Sequence, residues 1–190
     1  MFYELVSSED IGAVTVSEAK DFLKIDSDIT KDDSIIADII CAVFDYAEHL
    51  TGHSMREKVW NGFYEGVCIS NNERLPFVQI DKPPVSAITS VDVSSGGVYS
   101  ATSDFIRKRG RNFDRILFTT TPKIDNDAAY TIKVVFSSGY TSEDIPRDLK
   151  QALLQHIAFM YENRGDAPSD PQDQILEVYH RHRSVVTYAA

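Results

Sequence analysis

Apolar residues recur at steps of three and four over residues 145–165, which carry the longest helical pattern of the last third of the chain. Pro146 suits the first turn of a helix because its missing N–H has no partner there. We expect Gly165 to end the helix in a left-handed conformation. The pattern predicts a helix over 146–164 against which earlier elements pack. Its expected apolar stripe consists of Leu149, Leu153, His156, Ile157, Met160 and Arg164, with Ala152 and Tyr161 beside it.

Two shorter helical patterns precede it. Thr15 and Glu18 have the spacing of a capping box, which predicts a helix over about 15–24. A second helix is predicted over about 34–51, with Asp32 or Asp33 as its N-cap and Gly52 at its end. Residues 1–13 are predicted to be a short lead-in. The expected buried stripe of the second helix is Ile36, Ile39, Ile40, Val43, Ala47 and Leu50.

Between these helices, about 58–138 consists of short β-like runs separated by turn residues. Pro83 and Pro84 exclude a central strand position where they stand, and Gly96-Gly97 predicts a tight hairpin. The expected strands are 59–64, 75–80, 85–93, 98–101, 105–108, 115–118 and 130–137. The predicted class is α+β: a small helical bundle of two N-terminal helices and a long C-terminal helix, with an inserted antiparallel β region.

Residues 166–190 are expected to form a C-terminal docking tail beside a single domain of residues 1–165. Pro168 and Pro171 prevent the long helix from continuing into this segment. Ile175, Leu176 and Tyr179 are spaced for one or two helical turns. A helix that short cannot bury its own apolar face, so it must pack back on the domain or on another protein.

Charge and composition exclude several classes of function. The 190 residues carry a net charge of −10, which argues against binding DNA or a membrane through a general basic surface. The start lacks the pattern of a signal peptide and no apolar run reaches membrane-spanning length, so we expect folding in a cytoplasm. The two cysteines, Cys41 and Cys68, are expected to be free thiols.

Residues with chemical potential do not form a recognisable catalytic or metal-binding pattern. Nucleophile motifs, phosphate-binding glycine loops and paired Cys–His signatures are absent from the sequence. The acidic loop 26–33 begins like a calcium loop, but Lys31 and Ala37 replace the required glycine and glutamate. Gly52 separates His49 from His53, and no further ligands complete a zinc set. We therefore expect no enzyme activity, cofactor or metal, and interpret His156 as a packed, hydrogen-bonded histidine.

The densest basic run lies over residues 106–115. One interpretation is a loop that contacts phosphates, with Phe113 available for stacking. The other is a solvated hairpin tip, or one that pairs with an acidic surface on a neighbouring copy. We favour the second because phosphate contacts usually accompany a wider positive potential. The candidate contact residues are Arg107, Lys108, Arg109 and Arg111.

Several short phrases occur in a fixed order along nearly the whole chain, and the ordered set resembles the head-tail connector, or adaptor, family of tailed bacteriophages. Residues 176–181 are weakly similar to the family's closing segment, with Val178 where the family usually has proline. The phrases are VTVSEAK (14–20), FLKI (22–25), DSII (33–36), AE (47–48), TG (51–52), Trp60, PPV (83–85), ITSV (88–91), SGY (138–140), IP (145–146), LKQA (149–152) and YENR (161–164).

The resemblance implies a structural protein that is not an enzyme. It implies a ring, commonly of about twelve copies, docked beneath the portal protein of a DNA-filled head. Such a ring extends the DNA channel without sequence-specific binding and offers a platform to the next neck or tail protein. The expected location is the head-tail junction of a virion, after assembly in the bacterial host cytoplasm from a phage or prophage. Candidate portal-docking or neighbour-docking residues are Ile175, Leu176, Tyr179, Arg181 and Arg183.

Other functions stay open at this point. The chain is alternatively another neck or tail-completion protein built on similar packing. A nucleic-acid-binding module that uses the 106–115 run is a further alternative, and steep loss of affinity with salt would support it. An unrecognised enzyme would require a pocket that holds carboxylates with shifted pKa values.

Overall fold

A computed structural model describes residues 1–68, 74–95, 97–110, 113–122, 130–165 and 171–184. Its helices and antiparallel strand pairs confirm the α+β class. The described residues divide into a β-rich unit, Met1–Ser8 with Lys58–Ser138, and a helical unit, Glu9–Glu57 with Gly139–Ser184. In chain order the elements are β1 (Phe2–Gly12), α1 (Val16–Leu23), α2 (Asp33–Thr51), β2 (Arg56–Tyr64), β3 (Phe77–Ile80), β4 (Val85–Ser95), β5 (Val98–Ala101), β6 (Phe105–Arg109), β7 (Asp114–Phe118), β8 (Ile132–Ser138), α3 (Arg147–Glu162) and α4 (Asp173–Arg181).

The capping box predicted for α1 is present. The Glu18 N–H donates to the Thr15 hydroxyl at 3.2 Å, and the Thr15 N–H donates to the Glu18 carboxylate at 2.9 Å. Lys24 ends the helix in a left-handed conformation, with φ of 58°. The local sequence therefore determines where this helix begins.

The ends of α2 match the sequence only in part. Gly52 ends the helix in a left-handed conformation, with φ of 71°, as predicted. Asp32 is the N-cap residue, but its side chain makes no capping hydrogen bond. The Tyr161 hydroxyl donates to that carboxylate instead, at 2.5 Å. Asp32 is therefore the N-cap residue as predicted, but its carboxylate binds a tyrosine of another helix instead of the α2 backbone.

The predicted left-handed end of α3 at Gly165 is wrong. Pro146 is its N-cap, and the helix ends at Glu162, before Gly165. The described glycines with positive φ are Gly52, Gly97 and Gly139. At the end of α3, the backbone N–H and side-chain amide of Asn163 both donate to the Phe159 carbonyl, at 3.1 and 2.7 Å. The asparagine thus satisfies a terminal carbonyl that a left-handed glycine turn would otherwise satisfy.

The four described helices pack around one apolar core, and α4 is part of it. This short helix contacts both α2 and α3. Ile175 is 2 % exposed and Tyr179 is fully buried. The predicted stripe of α2 is buried except for Leu50, which is partly buried, and Phe44 joins it. On α3 the buried residues are Leu149, Ala152, Leu153, His156 and Ile157.

The β-rich unit contains two antiparallel sheets. The strand order is β1-β2-β8-β4-β5 in the larger sheet and β3-β7-β6 in the smaller one. Ser95 pairs with Val98, and Gly97 has φ of 79°, which is consistent with the predicted hairpin; Gly96 lies outside the described residues. The two sheets share one apolar core, formed by Tyr64, Val78, Ile80, Val91, Ile116, Phe118, Ile132, Val134 and Phe136.

Strand β1 corrects the prediction of a lead-in over residues 1–13. Tyr3 anchors the strand: its hydroxyl accepts the Asp81 N–H at 3.0 Å, and its ring meets the edge of Phe136. Residues 4–9 are exposed on both faces. The strand therefore lacks the alternation of buried and exposed positions by which a strand is recognised in sequence.

We expect Tyr179→Ala to lower the free energy of unfolding by about 3 to 5 kcal/mol, because it opens a cavity in the helical core. Urea unfolding followed by circular dichroism measures the change. Glu177→Ala, on the exposed side of the same helix, is the matched control and should stay within about 0.5 kcal/mol of the parent. Equal effects of the two substitutions would show that α4 does not stabilise the helical unit.

Candidate assembly surfaces

The β6–β7 hairpin carries most of the basic run singled out in the sequence. Its strands pair antiparallel, with Arg107 opposite Ile116 and Lys108 opposite Arg115. Arg111 and its neighbour Asn112 lie outside the described residues. Strand β6 therefore carries three of the four predicted contact residues: Arg107, Lys108 and Arg109.

Arg107 has a role inside the subunit. Its Nε donates to the Asp114 carboxylate at 2.6 Å, and Asp114 is 5 % exposed. The same guanidinium donates to the carbonyl oxygens of Val85 and Ser86 at the start of β4. A buried carboxylate requires such a partner because water is excluded from it. Arg107 therefore fastens the hairpin to the larger sheet instead of projecting toward a phosphate.

Arg115 is also held by neighbours. Its guanidinium carbon lies 4.6 Å from the ring centre of Phe77 and 4.8 Å from that of Phe113. Both distances are in the range of cation–π contacts. Gln79 accepts a further hydrogen bond at 3.4 Å. Phe113 thus stacks within the subunit, and the exposed positive charge of the described hairpin comes from Lys108 and Arg109.

The predicted C-terminal contact residues separate into two groups. Ile175 and Tyr179 lie in the helical core, and Leu176 is partly buried. Arg181 and Arg183 are exposed, and Arg181 pairs with Glu177 one turn earlier at 3.1 Å. The structure therefore does not present these five residues as one exposed surface, and their docking role stays a prediction.

A buried polar cluster joins α3 to α4. The Nδ1 of His156 lies 3.2 Å from the Tyr179 hydroxyl, and the Tyr46 ring meets the imidazole edge-on at 5.2 Å. Burial lowers the pKa of His156 to about 4 and raises the pKa of Tyr179. Both groups are therefore neutral at pH 7, and His156 is the packed, hydrogen-bonded histidine expected from the sequence.

A second contact fixes the end of α4. His182 Nε2 lies 2.8 Å from the Asp148 carboxylate in the first turn of α3. This hydrogen bond is the main reason that the pKa of Asp148 is lowered from its usual value. The contact places the α4 C-terminus beside the α3 N-terminus.

Sequence reasoning missed the apolar side chains at the ends of the larger sheet. Phe2, Leu5 and Val6 on β1 are 52 %, 49 % and 56 % exposed, and Val98 on β5 is 69 % exposed. A run of apolar residues without helical period was the available signal. Exposed apolar edge strands promote pairing with another chain, so both edges are candidate contacts.

Other kinds of site find little support in the part of the chain that the structure describes. Among those residues, no group of three or more histidine, cysteine or acidic side chains could hold a metal ion. None of the described helices has both the length and the apolar character needed to cross a bilayer.

The chain has a fold found in the neck of phage-like particles. Three solved structures match all of this chain and 99 % of the matched chain. They are the neck of an empty gene transfer agent particle computed with C6 symmetry (TM-score 0.77, 19 % identity), the virion of the native gene transfer agent particle (0.72, 18 %) and the neck of the native particle computed with C12 symmetry (0.71, 18 %). No protein-family model and no curated protein matches the sequence.

We expect Arg107→Ala to destabilise the protein by about 2 to 3 kcal/mol, because it leaves the buried Asp114 carboxylate without its charged partner. Arg109→Ala removes an exposed cation from the same strand and is the matched control, with an expected change within about 0.5 kcal/mol. Chemical unfolding of both variants measures the difference. If Arg107→Ala behaves like the control, the Arg107–Asp114 pair does not hold the hairpin.

The lowered pKa of His156 predicts a loss of stability in acid. The unfolded histidine takes up a proton near pH 6.5, whereas the folded one does so only near pH 4. The unfolded state therefore binds more protons between these values, and stability falls as the pH drops from 6.5 to 4. We expect His156→Gln to lose less stability across this window than the parent, measured by urea unfolding. His180→Gln, on an exposed position of α4, should keep the parent slope; an unchanged slope in His156→Gln would contradict the assignment.

Proposed function

We propose that this protein is a structural, non-enzymatic subunit of the neck of a phage or phage-like particle. It forms a homo-oligomeric ring of about twelve copies beneath the portal protein and joins the DNA-filled head to the tail. The observation that carries the proposal is the full-length likeness to a neck chain at a TM-score of 0.77. The ordered phrases that resemble the head-tail connector family support it separately.

The symmetry of the similar structures supports a ring. Necks of the gene transfer agent particle were computed with C6 and C12 symmetry. A cyclic ring is built from one contact repeated head to tail, so each subunit needs two unlike surfaces. The chain has several unlike exposed surfaces, including the apolar edge of β1 and the basic strand β6.

The charge of the subunit fits a DNA channel. With a net charge of −10, the chain does not have the general excess of positive charge by which proteins retain a polyanion. Two cations of the basic run, Arg107 and Arg115, are held by contacts within the subunit. A ring of such subunits lets DNA pass without sequence-specific binding. These contacts weigh against a nucleic-acid-binding module.

The proposed partners follow from the position of the ring. One face meets the portal protein and the other meets the next neck or tail protein. The proposed portal contacts are Arg181, exposed at the end of α4, and Arg183, exposed just beyond it, together with Leu176. Assembly takes place in the bacterial host cytoplasm, and the mature location is the head-tail junction of the virion.

Electron microscopy of heads tests this function. DNA-filled heads are prepared from a phage or prophage deleted for this gene and imaged before and after addition of the purified protein. We expect a ring at the portal vertex only after addition, and tails that join only those heads. Density at the free end of tails would instead favour a tail-completion protein. A protein that stays solitary beside portal-bearing heads would contradict the proposal.

A further inference from the structure

Strands β1 and β6 each lie at an edge of a sheet in the β-rich unit, and they differ in charge. Within the described residues, β1 is the terminal strand of the larger sheet and β6 is a terminal strand of the smaller one. We propose that β1 of one copy pairs with β6 of the next copy and that this strand addition is the repeated contact of the ring. The inference rests on the proposed neck function and names the surfaces through which copies associate.

The exposed side chains of β1 combine apolar and acidic character. Phe2 stacks on Phe63, and the Asn61 amide donates to Glu4 at 3.1 Å. Tyr3 points the other way, into the core of the β-rich unit. Because side chains alternate along a strand, Val6 shares the outer face with Phe2 and Glu4. This face is acidic and apolar, and Val6 is 56 % exposed.

Strand β6 presents the complementary pattern. Phe105 packs against the core, and Arg107 reaches the buried Asp114. Alternation therefore places Ile106 and Lys108 together on the opposite, outer face. Ile106 is 54 % exposed, and Lys108 is exposed beside it. This face is basic and apolar.

One antiparallel register satisfies both pairs at once. When Glu4 stands opposite Lys108, Val6 of the same strand stands opposite Ile106. The contact then contains one ion pair and one apolar pair on the same face. Both types of cross-strand pair stabilise neighbouring strands. Strand β5 carries exposed apolar side chains but no charge over Val98–Ala101, so it offers Glu4 no partner. Charge complementarity thus selects β6 over β5.

The occupant is a second copy because one chain carries both halves of the contact. Pairing of β1 with β6 uses unlike surfaces, so each copy keeps one free strand of each kind for its two neighbours. Such a heterologous contact closes into a ring when the rotation between copies permits it. Pairing of β1 with β1 would use the same surface twice and would stop at a dimer.

Disulfide trapping tests the contact. Val6→Cys and Ile106→Cys are combined in a chain in which Cys41→Ser and Cys68→Ser remove the native thiols, and thermal unfolding verifies that the variant folds like the parent. Oxidation is performed on the free protein and on portal-bearing heads that have received it. We expect a ladder of linked oligomers in at least one of these preparations. The matched control combines Val98→Cys with Ile106→Cys and should give no ladder.

Two outcomes overturn the inference. The first concerns heads on which microscopy shows a ring. If Val6→Cys with Ile106→Cys gives no more linked oligomer there than Val98→Cys with Ile106→Cys, the proposed contact is wrong. This result would leave the neck function intact, whereas absence of a ring would refute that function itself. The other is Val6→Cys alone forming dimers as efficiently as the paired variant forms its ladder, which would show β1–β1 pairing.

A charge exchange tests the ion pair. In the trapping background, we expect Glu4→Lys or Lys108→Glu alone to lower the yield of linked oligomer by about two- to fivefold. Combining both substitutions in one chain should restore the yield, because each contact then has the reversed pair. Asp38→Lys, an exposed reversal on α2, is the control and should leave the yield unchanged. A combined variant as weak as the single ones would overturn the proposed register.

Discussion

The helical unit depends on burial of the apolar side of α4 against α2 and α3. A helix of nine residues is not stable by itself in water, and α3 alone cannot enclose the residues that α4 covers. Tyr179 contributes the largest fully buried side chain to this contact: its ring is fully buried, and its hydroxyl is hydrogen-bonded to His156. The closing segment of the described chain is thus a structural part of the subunit core. Its buried residues, Ile175 and Tyr179, therefore stabilise the subunit and are not exposed for contacts with other proteins.

The β-rich unit separates charges that stabilise the subunit from charges that remain at its surface. Arg107 and Asp114 form a pair of low exposure, and Arg115 lies between two aromatic rings. Lys108 stands between them in sequence but on the exposed face of the strand. A single basic run therefore contains both structural and surface residues, and alternation along β6 and β7 decides which is which.

The sequence predicts the features that are determined within a few residues. The capping box at Thr15 and Glu18, the left-handed end at Gly52 and the α+β class follow from short patterns. The side chain of Asp32 has a partner that local patterns do not contain, because Tyr161 from another helix binds it. The end of α3 is local but was assigned to the wrong residue: the Asn163 amide, four residues after Phe159, satisfies the terminal carbonyl in place of Gly165. The candidate docking residues were predicted from their charge and residue type, which do not reveal tertiary contacts. Tyr179 is one of them, and the structure shows it buried against other helices.

Prediction of the sheets from the sequence is limited in the same way, because their arrangement depends on non-local contacts. Most strands of the insert were located within a few residues, whereas their pairing order was not derivable, because register depends on contacts across the sheet. Strand β1 was missed because an exposed edge strand does not bury alternate side chains. The residues that escape sequence reasoning here are those on an open edge, which is also where another copy can bind.

The discontinuity of the helical unit has a consequence for its synthesis. Its two segments, Glu9–Glu57 and Gly139–Ser184, are separated by the intervening strands. A ribosome that adds about 5 to 20 residues per second needs roughly 4 to 16 s to synthesise the roughly 80 residues between the two segments. During that interval the nascent α2 exposes Ile36, Ile40 and Val43 without the later helices that cover them. Folding of this unit is therefore completed only after α4 has left the exit tunnel, and a partly translated chain has no finished subunit to offer to a growing ring.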